Sequence, residues 1–567
     1  MAHVITRSCC TDASCIAVCP VNCIHPSPGE PDFGKTEMLY IDPAVCVDCG
    51  ACVAACPAAA IVHEYELSED QQPYLDINAL WFAEPGHADY SRTPIPLTAK
   101  KWSAGHLRVA IVGSGPAGFY AADELLTQHG LDVEVDMFER LPVPGGLVRY
   151  GVAPDHQDTK SVAELFETTM SRKGFRLYLN TEIGADLSMS DLAERYHAVI
   201  VATGALRDRP LGVPGEQLAG CHSATEFVAW YNGHPDFRDR AFDLSGERAV
   251  IVGNGNVALD VARILVSGAD HLARTDIADH AWAALGSSKI REVTIIGRRG
   301  PGQAAFAAKE LLSLVRTPGI SVELAEDLDI EQFGEELSRS GSVSGRFKLD
   351  LLRGLTEGSR GGDRKVVLRF LAEPIEILGR TEVEGIRLRR TELEFRASGE
   401  VQAVPTDVVE DLHCGLVLSA VGFRGSAVPG IPFDDVRGVI PNRCGTVVDP
   451  STDAAVPGRY VVGWIKRGPS GVIGTNKTCA QETVAGILAH YREGRLGTPD
   501  RAAQDIPRLA PGHILAEGWR RIDQYERVAG RSVARPRVKL VDIGDMLAVA
   551  RGGPEGPTGL LGVPACV

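Results

Sequence analysis

The sequence lacks the features that would place it in a membrane or on a nucleic acid. None of its apolar runs reaches the roughly 20 residues that span a bilayer. The first ten residues lack the basic and apolar regions of a secretory signal, and we therefore expect a cytoplasmic protein. A formal net charge of −16 argues against nucleic-acid binding.

Basic residues are scarce at the N-terminal end, where cysteine is abundant. The first 67 residues contain eight acidic residues but only Arg7 and Lys35 as bases, and nine of the 14 cysteines lie within the first 56. Without an export signal, this density favours ligation of a metal or cluster over disulfide formation. A chain of 567 residues is also too long for one hydrophobic core, and two to four domains are expected.

A four-cysteine run is the most specific motif of this region. It has the pattern C-x2-C-x2-C-x3-C-P and comprises Cys46, Cys49, Cys52, Cys56 and Pro57. In this bacterial iron–sulfur pattern the first three thiolates bind one cluster and the fourth binds another. The same register recurs 37 residues earlier, with Cys9, Asp12, Cys15, Cys19 and Pro20. The repeat predicts a pseudo-twofold ferredoxin with two clusters.

The two predicted cluster sites differ in their ligands. The Cys46 site would bind a [4Fe–4S] cluster through Cys19, Cys46, Cys49 and Cys52, and the Cys9 site would use Cys9, Cys15 and Cys56. At the Cys9 site, Asp12 replaces the fourth cysteine. It either binds a labile iron as a harder ligand or is a turn residue, so this cluster is [3Fe–4S] or [4Fe–4S]. Cys10 could replace Cys9, although its spacing breaks the repeat, and Cys23 is expected to be a buried free thiol.

A dinucleotide-binding fingerprint follows the apolar strand predicted at residues 107–112. Its turn has the pattern G-x-G-x-x-G and contains Gly113, Gly115 and Gly118. A helix and a second strand come next, and Glu139 closes the unit. The helix N-terminus would face a pyrophosphate, and Glu139 would accept the ribose hydroxyls. Because an acid repels a 2′-phosphate, this site is predicted to bind FAD or NAD.

A second fingerprint follows the strand predicted at residues 248–252. Its turn, G-x-G-x-x-A, comprises Gly253, Asn254, Gly255, Asn256, Val257 and Ala258. The next strand ends at Arg298 and Arg299, where an NAD site would carry an acid. Guanidinium groups donate paired hydrogen bonds to phosphate, which predicts an NADP(H) site. Two solvated arginines at a strand end are the alternative interpretation.

Beyond these motifs, the sequence resembles the adrenodoxin reductase-type ferredoxin–NADP reductases. The matching stretches are 145–149 (GGLVR), 151–156 (GVAPDH), 255–260 (GNVALD) and 463–474 (GWIKRGPSGVIG), with a further match at 535–540. Residues 1–67 resemble the seven-iron and eight-iron bacterial ferredoxins. The whole chain is similar to natural fusions of such a ferredoxin to such a reductase.

This resemblance implies positions for the cofactors. FAD contacts would fall on Ala117, Glu139, Leu147, Ile183, Trp464, Gly471, Val472 and Ile473. NADP contacts would fall on Arg209, Asn254, Gly255, Asn256, Val257, Arg298, Arg299, Glu310 and Gly471. His156 and Asp260 would lie near the contact between nicotinamide and flavin, where we expect a catalytic role, and the alternative for His156 is a hydrogen-bonded turn residue.

These motifs predict an α/β fold, with doubly wound, Rossmann-like FAD and NADP domains preceded by a small α+β ferredoxin domain with two clusters. The predicted segments are a ferredoxin domain at 1–67, a proline-containing linker at 68–105, an FAD domain at 106–208 and 426–567, and an NADP domain at 209–425. Strands ending at Gly204 and Gly422 would mark the crossings between the last two domains. The end of the chain, from about residue 552, is expected to be loose.

The predicted function is electron transfer between NADPH, FAD and the iron–sulfur clusters, with a ferredoxin-like or other one-electron protein as acceptor. Flavin accepts an electron pair as a hydride and releases single electrons, which matches one-electron clusters. A reductase of a small substrate, similar to the glutamate synthase small subunit, is disfavoured because no separate substrate domain is evident. A flavin-free electron carrier or scaffold is the third alternative.

Overall fold

The computed structural model describes residues 2–84, 86–87, 90, 105–325, 328, 330, 343–356, 362–395 and 401–553. Most of the predicted linker after residue 84 and the predicted loose end from residue 554 lie outside the described residues. Within the described residues, none of the helices is both long and apolar enough to cross a membrane.

A seven-stranded sheet forms the centre of the region predicted to bind FAD. From edge to edge its strands are Asn442–Arg443, Thr446–Val448, Ala455–Val461, Ala198–Val201, His106–Val112, Asp132–Phe138 and Phe175–Tyr178. The last five run parallel and are largely apolar, as expected of strands that are covered on both faces. One face packs against helices Pro116–Leu126 and Thr475–Arg492, and the other against residues around Met189–Ala193.

A six-stranded parallel sheet forms the centre of the region predicted to bind NADP. Its strands, in order, are Cys221–Ser223, Leu416–Ser419, Arg248–Val252, Glu292–Ile296, Arg364–Arg369 and Ile320–Leu324. A three-stranded antiparallel sheet lies in the chain between Arg364–Arg369 and Leu416–Ser419, with strands Ala372–Leu378, Gly385–Phe395 and Val401–His413.

Two segments that connect the larger sheets lie next to each other. The short strand Arg207–Asp208 pairs antiparallel with Phe423–Arg424, so the outgoing and the returning segments lie side by side. The domain boundaries proposed from the sequence, between residues 208 and 209 and between 425 and 426, fall next to this pair.

The N-terminal region has the internal symmetry that the cysteine repeat predicts. Its strands pair antiparallel, His3–Ile5 with Ile61–His63 and Ile24–His25 with Tyr40–Ile41. A short helix follows the beginning of each cysteine run, Ser14–Ala17 in the first half and Ala51–Ala55 in the second.

The beginning of the predicted linker is not a linker, which corrects our interpretation of the proline-containing segment 68–105. Residues Pro73–Phe82 form a helix whose Asn78 is buried. The Asn78 side chain accepts hydrogen bonds from the N–H groups of Ile5 (3.2 Å) and Ile41 (2.9 Å) and donates to the Ile5 carbonyl (2.9 Å). Because this amide joins both strand pairs, we call residues 2–84 the ferredoxin module.

The remaining helices cover the sheets and close the C-terminal end. They are Leu147–Tyr150, Gln157–Lys160, Ala163–Met170, Ala224–Tyr231, Asn256–Val266, Ala269–Leu272, Asp279–Gly286, Ala308–Arg316, Val343–Thr356, Trp464–Arg467, Ile506–Leu509, Ala516–Ser532 and Ile543–Ala550. A buried ion pair joins Glu526 of the C-terminal part to Arg149, with Oε1 and Nη2 separated by 2.6 Å. This pair fixes the C-terminal helices beside the predicted FAD contact Leu147.

Candidate functional site

The first glycine turn combines close packing at two glycines with open space at the third. A Cβ atom at Gly113, whose φ is +105°, would lie 2.6 Å from the Ala202 carbonyl oxygen, and one at Gly118 would overlap the Gly113 carbonyl. A Cβ atom at Gly115 would meet no atom within 4 Å, so the backbone there is open to a ligand. This arrangement fits a pyrophosphate at the N-terminus of helix Pro116–Leu126.

Glu139, the acid predicted to accept ribose hydroxyls, lies directly against this turn. Its Oε2 atom accepts hydrogen bonds from the Ser114 N–H (3.1 Å) and from Ser114 Oγ (2.8 Å). Its Oε1 atom accepts a hydrogen bond from the Leu141 N–H (3.1 Å). The carboxylate is therefore fixed at the end of strand Asp132–Phe138, where its charge disfavours a 2′-phosphate and suits FAD.

The other predicted FAD contacts surround the same turn. A Cβ atom at Gly146 would lie 2.9 Å from Gly115 Cα, and one at Gly463 would lie 2.6 Å from Ala117 Cβ, so the stretches that carry Leu147 and Trp464 abut the turn. Trp464 Nε1 donates to the Ser470 carbonyl (3.0 Å), immediately before Gly471, Val472 and Ile473. Ile183 is buried in the core that also contains Phe138.

The second glycine turn repeats this geometry in the six-stranded sheet. A Cβ atom at Gly253, whose φ is +113°, would lie 2.5 Å from the Ala420 carbonyl oxygen, whereas one at Gly255 would meet no atom within 4 Å. Asn256 Oδ1 accepts a hydrogen bond from the Ala307 N–H (2.7 Å). This bond ties the turn to helix Ala308–Arg316, which carries Glu310.

The predicted phosphate-binding arginines lie beyond the second turn. Arg298 and Arg299 follow strand Glu292–Ile296, and both are exposed. Arg209 is exposed at the crossing between the two sheets, where its N–H donates to the Gly422 carbonyl (3.1 Å). All three guanidinium groups are thus accessible to a phosphate.

His156, Asp260 and Glu310 come together in one cluster, although they are far apart in the sequence. Each has a nitrogen or oxygen atom within 4.8 Å of the corresponding atoms of the other two. Sequence analysis did not predict their basic partners. Arg7 Nη1 lies 2.7 Å and Arg263 Nη2 lies 2.8 Å from His156 Nε2.

These two guanidinium groups define the state of His156. A guanidinium has donors only, so His156 Nε2 must accept, and the neutral ring carries its proton on Nδ1. Burial lowers the pKa of His156 to about 3, with further contributions from Arg263 and Arg7. His156 therefore cannot donate a proton from Nε2. The two cations also make this cluster unsuitable for a metal ion.

The two acids of the cluster differ in pKa. Burial raises the pKa of Asp260 to about 6, against the opposing effect of Arg263. Burial acts in the same direction on Glu310, but the cations of Arg7 and Lys309 outweigh it and lower the pKa of Glu310 to about 2. Glu310 is therefore the permanent anion of the cluster at neutral pH.

At the Cys9 site, the structure gathers the predicted thiol ligands. Burial raises the pKa of the Cys15 thiol, and the nearby charges of Cys9 and Cys56 raise it further. Cys9 Sγ accepts a hydrogen bond from the Leu39 N–H (3.4 Å) within the core of the ferredoxin module. Cys10 belongs instead to the core of the FAD region, which favours Cys9 over Cys10 as the ligand.

At the Cys46 site, the thiols from both halves of the repeat also meet. Burial raises the pKa of the Cys52 thiol to about 11, and the charges of Cys46, Cys19 and Cys49 contribute, Cys46 most among them. Cys49 is exposed. Cys23, which we predicted to be a free buried thiol, is buried with its Sγ 3.5 Å from Cys19 Sγ.

Three positions with a left-handed backbone conformation in the first half of the module recur 37 residues later in the second half. The pairs are Thr11 (φ 56°) with Asp48 (55°), Ala13 (62°) with Gly50 (69°), and Asn22 (46°) with Ala59 (44°). Such conformations cost L-residues roughly 1–2 kcal/mol each. Left-handed residues turn N–H groups toward a common centre and so form anion-binding concavities. The repeated strain fits the binding of an anionic cluster by each half.

The loop of the Cys9 site packs against the segment predicted to contact FAD. The Gly474 N–H donates to the Cys10 carbonyl (2.8 Å). A Cβ atom at Gly474 would overlap both that carbonyl oxygen and the Asp12 backbone nitrogen. Ser161 Oγ donates to the Pro57 carbonyl (2.9 Å), next to the ligand Cys56. The Cys9 site therefore faces the FAD region, one residue beyond Ile473.

The Cys46 site, in contrast, lies among solvent-exposed residues. Beside the exposed Cys49, Val47 is 57% exposed and Val53 is 40% exposed. The two sites thus differ in access, since one is covered by the FAD region and the other has exposed residues around it.

Known protein families match the N-terminal cysteine-rich segment and the region that follows it separately. A family model described as pyridine nucleotide-disulphide oxidoreductase matches residues 107–350, and a 4Fe-4S binding domain model matches residues 39–62. A "Probable ferredoxin/ferredoxin--NADP reductase" of Mycobacterium tuberculosis is 46% identical over 98% of this chain and 96% of its own length.

Relatives with shorter chains match a large part of this chain as well. "NADPH-ferredoxin reductase FprA" of Mycobacterium tuberculosis is 45% identical over 78% of this chain and 99% of its own. The solved structure of Mycobacterium tuberculosis FprA in complex with NADPH superimposes with a TM-score of 0.74, covering 79% of this chain and 100% of that one. These similarities confirm the predicted α/β fold class and the predicted family.

Proposed function

Because the chain belongs to the ferredoxin/ferredoxin–NADP reductases, we propose that its own ferredoxin module is the first acceptor of the electrons that it takes from NADPH. The chain is an FAD-dependent oxidoreductase with an iron–sulfur binding domain, and a ferredoxin is its partner. The small-substrate reductase and the flavin-free scaffold therefore have no support. The observation that carries the proposal is the contact between the Cys10–Asp12 loop and Gly474.

The residues present fit the cofactors of this reaction. The open backbone at Gly115 and the fixed carboxylate of Glu139 would hold FAD, and the turn at Gly255 with Arg298 and Arg299 would hold NADP(H). When bound, FAD accepts a hydride as an electron pair and returns single electrons, which iron–sulfur clusters carry. We assign the Cys9 site to the end of the module that meets the reductase and the Cys46 site to the end that meets an outside acceptor.

A docked module predicts intramolecular reduction. After anaerobic mixing of the holoprotein with NADPH, the absorbance of the clusters should bleach with a first-order rate that does not change over a hundredfold range of protein concentration. Stopped-flow spectroscopy at wavelengths that separate flavin from cluster measures this rate. Two results would contradict the proposal: a rate that rises in proportion to protein concentration, or clusters that stay oxidised while the flavin is reduced.

We further propose that the cluster at the Cys9 site is [3Fe–4S] and that Asp12 does not ligate iron. Both oxygens of Asp12 have other partners: Oδ1 accepts from the Ser14 N–H (3.0 Å), and Oδ2 accepts from Ser14 Oγ (2.7 Å). Lys477 Nζ, from helix Thr475–Arg492, lies 3.2 Å from Oδ2. This ion pair supports a role for Asp12 as a link between the module and the reductase.

The three-iron assignment is tested by electron paramagnetic resonance of the oxidised protein. An oxidised [3Fe–4S] cluster is paramagnetic and an oxidised [4Fe–4S] cluster of this type is not, so we expect a signal of about one spin per chain. Asp12→Asn should keep the signal, whereas Asp12→Cys should lose it as a fourth iron is bound. Two results would contradict the assignment: an oxidised wild-type protein that gives no paramagnetic signal although both cluster sites are filled with iron, or loss of the signal in Asp12→Asn.

A further inference from the structure

Arg7 belongs to the ferredoxin module, yet its side chain ends among the residues of the NADPH site. Its Nη1 atom lies 2.7 Å from His156 Nε2 and 3.2 Å from Glu310 Oε2. His156 comes from the FAD region and Glu310 from the NADP region. One guanidinium group of the module therefore bridges both halves of the reductase.

The position of Arg7 is fixed by its backbone as well as by its side chain. Lys309 Nζ donates to the carbonyl oxygens of Arg7 (3.1 Å) and Cys9 (2.9 Å). The Ala308 N–H donates to Glu37 Oε2 (2.9 Å). The start of helix Ala308–Arg316 is thus bound to the module at the two residues that precede Glu310, so docking of the module and placement of Arg7 are one event.

We propose that Arg7 is a positioning residue for the reaction with NADPH, which holds Glu310 and His156 in the arrangement that receives the nicotinamide. Docking of the ferredoxin module then completes the NADPH site from which the module receives its electrons. This inference rests on the proposed function, in which NADPH reduces the docked module.

The charges of the cluster explain why Arg7 is required. Asp155 and Asp260 both pair with Arg263, at 2.7 Å and 2.9 Å, so Arg263 is already committed to two carboxylates. Arg7 is the cation that forms an ion pair with Glu310, which is mostly buried. Removal of one partner from a buried ion pair leaves an uncompensated charge, which is costly and favours protonation.

Several other groups face Glu310, and they set the direction of the expected change. Lys309 and Arg263 favour its ionised form, while burial opposes it. Without Arg7, fewer cations oppose the effect of burial, so the pKa of Glu310 should rise. The pKa of His156 should rise as well, because Arg7 is one of the cations that hold it down. The charged and titratable groups around the cluster are Arg7, Tyr74, Asp155, His156, Asp260, Arg263, Lys309 and Glu310.

The test compares Arg7→Gln with Arg7→Lys in the full-length holoprotein. Flavin reduction by NADPH is measured by stopped flow from about pH 5.5 to about pH 8. The wild-type rate should change only as Asp260, whose pKa is about 6, titrates, because Glu310 is ionised and His156 neutral throughout. In Arg7→Gln the rate at about pH 5.5, divided by the rate at about pH 8, should fall about tenfold below the wild-type ratio, since burial then acts on Glu310 without its ion pair and can raise the pKa of a fully buried acid by roughly 3–5 units. Arg7→Lys should restore most of the wild-type profile.

The control is Lys35→Gln, which removes the other basic residue of the module from an exposed position. It should behave as the wild type at every pH. Flavin and iron contents are measured for each variant, so that a misfolded module is recognised. A pH profile of Arg7→Gln that matches the wild type, or equal losses in Arg7→Gln and Arg7→Lys, would overturn the inference. If the wild-type clusters are not reduced by NADPH at all, the proposed function fails instead.

Discussion

Replacement of Gly474 by alanine should slow the NADPH-driven reduction of the ferredoxin module by about a hundredfold, while flavin reduction by NADPH at about pH 8, where loss of Arg7 is least felt, stays near the wild-type rate. The backbone φ of Gly474 is −69°, so alanine suits the local conformation. Its methyl group would, however, overlap the Cys10 carbonyl oxygen and the Asp12 nitrogen, which are backbone atoms that cannot rotate away. The module would then be tethered but not docked, and a lost docked geometry is worth orders of magnitude in effective concentration.

Stopped-flow traces at flavin and cluster wavelengths separate the two steps of this experiment. Gly486→Ala is the matched control, because Gly486 lies on the same helix, Thr475–Arg492, and its added methyl would come no closer than 3.9 Å to the Cys444 oxygen. Unchanged cluster reduction in Gly474→Ala would show that this contact does not carry electrons into the module. Lower FAD content in Gly474→Ala would assign the effect to the flavin site.

Exchange of Arg298 and Arg299 for glutamine should weaken NADPH binding by a hundredfold or more and leave NADH binding within about twofold. Both guanidinium groups are exposed at the end of strand Glu292–Ile296 and available to the 2′-phosphate. A hydrogen bond to a charged group contributes about 1.5–3 kcal/mol, and two arginines can each supply at least one. NADH lacks the 2′-phosphate and therefore loses nothing.

The comparison requires dissociation constants for NADP+ and NAD+, which differ by the same 2′-phosphate and do not reduce the flavin, measured by flavin fluorescence or titration calorimetry. Arg508→Gln removes an arginine whose side chain is 79% exposed in the FAD region, and it should change neither constant. Equal losses for NADPH and NADH would mean that the arginines bind the phosphates common to both nucleotides.

The parts of the site that the sequence predicts are those whose residues are close together in the chain. A glycine turn needs a strand before it and a helix after it, so Gly113, Gly115 and Gly118 are recognisable within about 30 residues. The cluster ligands are recognisable for the same reason, since thiolates that bind one cubane sit on one tight loop. The left-handed residues at Thr11 and Asp48 follow the same repeat.

The contacts between the module and the reductase could not be predicted in this way. Arg7 and Glu310 are 303 residues apart, and Asp12 and Lys477 are 465 apart. No local pattern marks such pairs, because each depends on how two separately folded parts dock. Arg7 was noticeable only as one of two bases in an acidic segment, and that scarcity pointed to no partner.

The helix Pro73–Phe82 was missed for a different reason. The segment 68–105 contains four prolines and no cluster motif, which suggested a linker, although Pro73 occupies the first turn of the helix, where proline is tolerated. The buried face of this helix is short and includes Asn78, a polar residue whose partners are the backbones of Ile5 and Ile41. Only the tertiary structure reveals that this amide completes the module.

The two glycine turns have the same backbone shape, but the side chains beyond them differ. Gly115 and Gly255 both leave open space, while Glu139 follows one unit and Arg298 and Arg299 follow the other. Since the turns bind a pyrophosphate that all dinucleotides share, the choice of coenzyme depends on a few residues at the rim. Such residues can mutate without disturbing the core. A descendant of this chain could therefore come to depend on a different reductant and still keep its architecture.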